Sequence, residues 1–161
     1  MDDQDVNNMK IIKFKQTHDG FFMDSSAYPN YLNKVKDKIP EEALQFMSAS
    51  WHYDHNDPRC PHDSKIDSLI IRENLIGDFR VTNIEMLLLG GYDNRFSLSY
   101  SNAHSYSIKK NKCEWPKEDY SHGDWLIDEI ILLNDNLLMH EIIFTDAVIK
   151  IKATDIIYKI L

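Results

Sequence analysis

From Ile66 onward, turn residues interrupt every apolar run before it reaches helical length. That spacing limits the fold more than any other feature of the chain. Ile66, Ser68, Ile70 and Arg72 alternate with Asp67, Leu69 and Ile71, the period of a strand. Gly77-Asp78 supplies a turn, and residues 81–89 form a second strand ending at Gly90-Gly91. After Asp93-Asn94, Phe96, Leu98 and Tyr100 alternate with Ser97, Ser99 and Ser101. His104, Tyr106 and Ile108 extend the pattern beyond a kink at Ser101-Asn102. Residues 109–123 read as a long polar loop. Four more runs follow, 124–133, 137–145, 148–152 and 156–161. Parallel neighbours need crossovers of about a dozen residues, so these intervals predict antiparallel meanders.

The N-terminal third has a different period. Residues 1–9 read as a tail, 11–15 as a short strand, and His18-Asp19-Gly20 as a turn before Phe21, Phe22 and Met23, which dock on the core. Ser25 and Ser26 are good N-cap residues and Pro29 suits a first helical turn. Tyr28, Leu32, Val35 and Ile39 then recur at helical spacing. Pro40 ends that helix and starts another at its first position, with Glu41 and Glu42 at the positive end and Ala43, Leu44, Phe46 and Met47 toward the core. The expected fold is mainly β (α+β): an antiparallel sheet or sandwich of seven to nine short strands, with two short helices packed on it. One domain spans 1–161, divided into a weakly attached extension (1–23), a helical part (24–50), a polar loop (51–65) and antiparallel β structure (66–161).

Charge and segment composition narrow the function classes. The formal net charge is −8, which disfavours a nucleic-acid partner and suits a basic protein. Lys109, Lys110 and Lys112 form a short basic run of the kind that is usually solvated. No apolar run approaches the roughly 18 residues of a membrane span, and the opening MDDQDVNNMK is acidic where a signal peptide is basic. A cytoplasmic location is therefore expected, with Cys60 and Cys113 as free thiols.

Candidate chemistry concentrates in residues 51–63, WHYDHNDPRCPHD, which hold three of the seven histidines. His52, Asp54, His55, Asp57, Cys60, His62 and Asp63 are all donors that zinc accepts. Their spacing matches neither a paired-cysteine knuckle nor an HExxH helix. The preferred reading is a rigid loop and no cofactor. Pro58 and Pro61 restrict the backbone, Asp57 or Asp63 fixes Arg59, and His62, Asp63 and Ser64 cap turn amides. Such a loop displays His52, Asp57, Arg59, Cys60, His62 and Asp63 to a partner, with Trp115 as a possible aromatic anchor from the later loop. Cys60 with His62 or His52 as base is the nucleophilic alternative, which Pro61 and the lack of a helix N-terminus disfavour.

One pairing follows from turn chemistry. A two-residue turn at Asp135-Asn136 places Glu129 and His140 diagonally on one sheet face, as a core pair or, less favoured, a catalytic dyad. A three-residue loop instead sets Glu129 opposite Glu141. Asp128 and Glu129 point to opposite faces and cannot act together on one substrate.

The stretch WHYDHNDPRCPHDS, with LLLGGYDNRFSLSY, HGDWLIDE and HEIIF, resembles an uncharacterised family of small bacterial proteins. Its pattern pairs a DPRCPHD-type motif (Asp57 to Asp63) with an LLG segment (Leu88 to Gly90) and a late HEI strand (His140 to Ile142). The resemblance covers Tyr28 to the C-terminus and implies a shared fold, with no activity attached. Two functional expectations remain. One is a non-enzymatic protein-binding module, of the size and charge of an immunity protein that covers a basic toxin. The other is a metal-dependent hydrolase built on the 51–63 loop with His104, His122 or His140.

Overall fold

Each alternating run forms a ladder with its neighbour in the chain. In the computed structural model, which describes residues 9–111 and 120–161, ten strands make three antiparallel sheets beside two α-helices. The strands are β1 (Lys13–Thr17), β2 (Gly20–Asp24), β3 (Lys65–Ile76), β4 (Phe79–Leu89), β5 (Arg95–Ser101), β6 (Ser105–Lys110), β7 (Trp125–Leu132), β8 (Leu138–Phe144), β9 (Ala147–Ala153) and β10 (Asp155–Ile160). β1 and β2 form a hairpin; the larger sheets have the orders β10-β5-β4-β3 and β6-β9-β8-β7. The mainly β, antiparallel expectation holds. The sheet and strand counts are corrected: there are three sheets, and the strand count exceeds nine because residues 20–24 pair with 13–17. The polar loop also starts later than residue 109, since β6 runs through Lys110.

One ribbon connects the two larger sheets. β5 pairs with β10 in one, and β6 pairs with β9 in the other. The chain turns between β5 and β6 at Asn102, whose φ of 48° an asparagine tolerates. Thr154 N–H donates to the Ser101 carbonyl at 3.0 Å, and His104 N–H to Lys152 at 2.7 Å, holding this corner. Met86, Leu98 and Tyr100 of one sheet share a buried core with Ile130, Leu138 and Ile142 of the other. At the far end, Asp63 N–H donates to the Trp125 carbonyl and Trp125 N–H to Ser64, tying the entry of β3 to the start of β7.

The helices α1 (Tyr28–Val35) and α2 (Glu41–Met47) bury Tyr28, Leu32, Ala43, Phe46 and Met47. Ser25 and Ser26 do not cap α1. Its N-cap is Ala27, because the Ser26 amide is taken by the Asp24 carboxylate at 2.9 Å and the Ser25 carbonyl accepts Tyr28 N–H. Pro40 stands one place before the first position of α2, as its N-cap.

The β7–β8 register overturns the expected Glu129–His140 pair. Leu133 N–H donates to Leu137, so the loop has three residues, Asn134, Asp135 and Asn136. Asn136 adopts φ 63°, the left-handed conformation that closes such a loop in step with strand twist. Glu129 therefore opposes Glu141, and Ile130 opposes His140. This like-charge opposition is tolerable because each carboxylate has a cationic or amide neighbour. Glu129 accepts the amides of Lys10, Ile11 and Ile12 at 2.7–2.9 Å, and Glu141 faces Lys150 on β9.

Candidate functional site

The register that separates Glu129 from His140 brings His140 to Asp128. The Asp128 carboxylate lies between two imidazoles: His140 Nε2 is 2.9 Å from Oδ2, and His52 Nε2 is 2.9 Å from both oxygens. The other nitrogens are also engaged. His52 Nδ1 is 2.9 Å from the Phe46 carbonyl, and His140 Nδ1 is 2.8 Å from the Tyr100 hydroxyl. A carbonyl only accepts, so His52 Nδ1 donates to Phe46 and leaves Nε2 to meet the Asp128 carboxylate. The relay thus joins the 51–63 loop, α2, β5, β7 and β8.

All its members lie in the core, His140 at 0% exposure and His52 and Asp128 at 1%. Burial pushes the Asp128 carboxyl up, but the His52 imidazole and the hydrogen bonds from both histidines outweigh it. The group ends well below the ordinary carboxylate range. Burial pushes His140 down, against the opposing pull of Asp128. The Tyr100 hydroxyl is raised well above its usual value, first by burial and then by the Asp128 charge. Phe46 stacks on His52 at 4.1 Å and Tyr53 covers the other side at 4.2 Å. Every imidazole nitrogen of this relay is occupied, and its members are sealed from solvent. It anchors the loop to the sheets.

The loop itself is a run of tight turns. N–H groups of His52, Asp54, Asp57, Cys60 and Ser64 each donate to the carbonyl three residues back. Asp54 and Asp57 carboxylates accept the amides of Asn56 and Arg59. Asp57 also grips the Arg59 guanidinium through Nε at 2.9 Å and Nη2 at 2.7 Å, which holds its carboxyl at about 2. Arg59 lies over Trp51 at 5.7 Å, and its carbonyl accepts the Tyr158 hydroxyl. The arginine is thus fixed by Asp57 rather than Asp63.

This arrangement divides the expected binding residues. His52 and Cys60 face inward and are buried. The Cys60 thiol donates to the His52 carbonyl, and burial pushes it up to about 12, which leaves it protonated and a poor nucleophile. His62 is mostly covered; its ring stacks on His55 at 3.7 Å and its Nδ1 meets the Leu126 carbonyl. Arg59 and Asp63 stand at the surface with side chains 52% and 62% exposed, and Asp57 is partly covered beside them. Trp115 and Cys113 lie outside the described residues. Among the described residues, no three His, Cys, Asp or Glu side chains are grouped to hold a metal ion. His104 and His122 do not join the relay either: His104 is exposed on its corner, and His122 is half-buried.

The outer edge of β7 is closed by side chains from α1 and the 51–63 loop. The hydroxyls of Tyr28 and Tyr53 donate to the carbonyls of Ile130 and Asp128, and Leu132 N–H donates to Tyr31. These contacts satisfy backbone groups that would otherwise make β7 a pairing edge. The roles of Asp128 and the tyrosines escaped the sequence reading. The only local signal was a charged pair, Asp128-Glu129, inside an otherwise apolar run. No model of a known protein family matches the chain, and no curated protein matches it either.

Proposed function

We propose that the protein acts without catalysis, by binding a basic protein partner through the rigid surface of residues 54–63. One observation carries this reading. The loop's reactive groups, His52 and Cys60, are consumed inside, while its exposed charges are held in place by consecutive turns. A surface ordered before contact loses little entropy on binding. The net charge of −8 steers basic partners toward it. An immunity-type protein of the bacterial cytoplasm, covering a basic toxin, is the form of this function that fits size and charge. The metal-dependent hydrolase is the weaker reading, because His52 has no nitrogen left for a metal.

The test is capture of one basic protein from bacterial lysate at modest salt. Asp54→Asn and Asp63→Asn together should weaken capture and make what remains less sensitive to salt. Capture indifferent to both changes refutes the proposal. Stoichiometric zinc that disappears on His52→Ala or His62→Ala would establish the hydrolase instead.

A further inference from the structure

β3 outruns its own sheet. β5 pairs with β4 only from Ile84 to Leu89, so the β3–β4 hairpin projects beyond it, and residues 71–80 are all exposed. Ile71, Leu75 and Ile76 stand 42%, 68% and 63% exposed on β3. Among the described residues, no backbone group from Ile66 to Ile76 makes a hydrogen bond on the side away from β4. β7 is capped by tyrosines and β10 packs against α2, whereas this 12-residue edge holds no proline and no bulge beyond Ser68. A long, apolar, open edge is a pairing template.

We infer that the occupant is a second copy of this chain, paired antiparallel along β3 with the twofold axis at Ile71. Charge selects the occupant. The chain carries −8, yet residues 65–89 hold three cations (Lys65, Arg72, Arg80) against four anions (Asp67, Glu73, Asp78, Glu85), a net of −1. Arg72 pairs with Glu85 and Arg80 with Glu73 inside the hairpin itself. Two copies therefore meet here without the mutual repulsion of their other surfaces. The register follows from symmetry. A twofold normal to the sheet keeps faces matched, so opposed residue numbers sum to an even value. An axis at Arg72 or Glu73 sets like charges face to face, and one at Ile70 sets Glu73 against Asp67. An axis at Ile71 opposes Arg72 to Ile70, Glu73 to Leu69 and Asn74 to Ser68, and engages nearly the whole strand.

This interface is separate from the 54–63 surface, so Asp54 and Asp63 substitutions leave it intact. Sedimentation of the full chain should give twice the 18.9 kDa monomer mass, dissociating on dilution. Ile71→Lys places two like charges on the axis and should raise the dissociation constant at least about tenfold. Ile108→Lys, on β6, the terminal strand of the other sheet, and 41% exposed, should change nothing. Leu75→Asp, which this register sets against Asp67 of the other copy, should act like Ile71→Lys and covers the case in which that variant unfolds. Ile71→Cys should cross-link to itself on oxidation. A monomer at every attainable concentration, or a dimer that survives both Ile71→Lys and Leu75→Asp, overturns the inference.

Discussion

Replacing Asp128 by alanine removes the one acceptor shared by two buried imidazoles. His52 Nε2 and His140 Nε2 would both lose their partner at sites under 2% exposed. Breaking a buried charged pair from one side costs about 3–5 kcal/mol, most of it the penalty of the groups left behind. Asparagine at the same position behaves differently. Its Oδ1 accepts from His140 Nε2, and its Nδ2 donates to His52 Nε2, which can accept because Nδ1 is the donor to Phe46. Every hydrogen bond survives in neutral form, so Asp128→Asn should cost only about 1–2 kcal/mol, the difference between charged and neutral bonds. Urea unfolding followed by tryptophan fluorescence measures both, since Trp125 is buried 5.9 Å from His140. The pH dependence separates the two groups. The folded Asp128 value lies below the unfolded one of about 3.9. Its contribution is thus complete above that pH and is lost as pH falls toward the folded value. His140 is held neutral, so stability begins to fall earlier, below the unfolded imidazole value of about 6.5. Asp128→Asn should abolish the carboxylate phase and keep the imidazole phase. Equal losses for alanine and asparagine would refute the reasoning, because the charge itself, rather than hydrogen-bond satisfaction, would then hold the relay.

Glu129→Ala removes the acceptor of three consecutive amides, and the free energy of opening the N-terminal segment should fall by about 2–3 kcal/mol. Hydrogen exchange at Ile11 and Ile12 should accelerate while amides in β8 keep their protection; uniform acceleration would contradict a local anchor. In a Cys113→Ser background, native Cys60 should react with iodoacetamide far more slowly at pH 8 than the unfolded chain does, since its thiol is pushed up to about 12. Labelling at the unfolded rate would show that the turn run around it opens readily.

Much of the architecture was legible in local patterns. The alternation in 96–101 and the short run 137–145 became β5 and β8, and Gly77-Asp78 and Asp93-Asn94 became the expected turns. The rigidity of 51–63 was also legible, because prolines and short carboxylates act on their own neighbouring amides. The β7–β8 register was not. A two-residue and a three-residue loop differ by one position, and that one position exchanges the partner of His140. The histidine-rich loop misled for a related reason: density of ligand atoms in sequence says nothing of which way each side chain turns.

The sequence by itself determined strand lengths, turn sites and the antiparallel class, since these depend on side-chain period and backbone preference within a few residues. Only the tertiary structure decided that His52, Asp128, His140 and Tyr100 meet, across separations of 12 to 76 residues. Their meeting depends on register, on the ribbon that turns from one sheet to the other, and on the entry angle of the loop. None of these has an energy that a local stretch of chain can express alone.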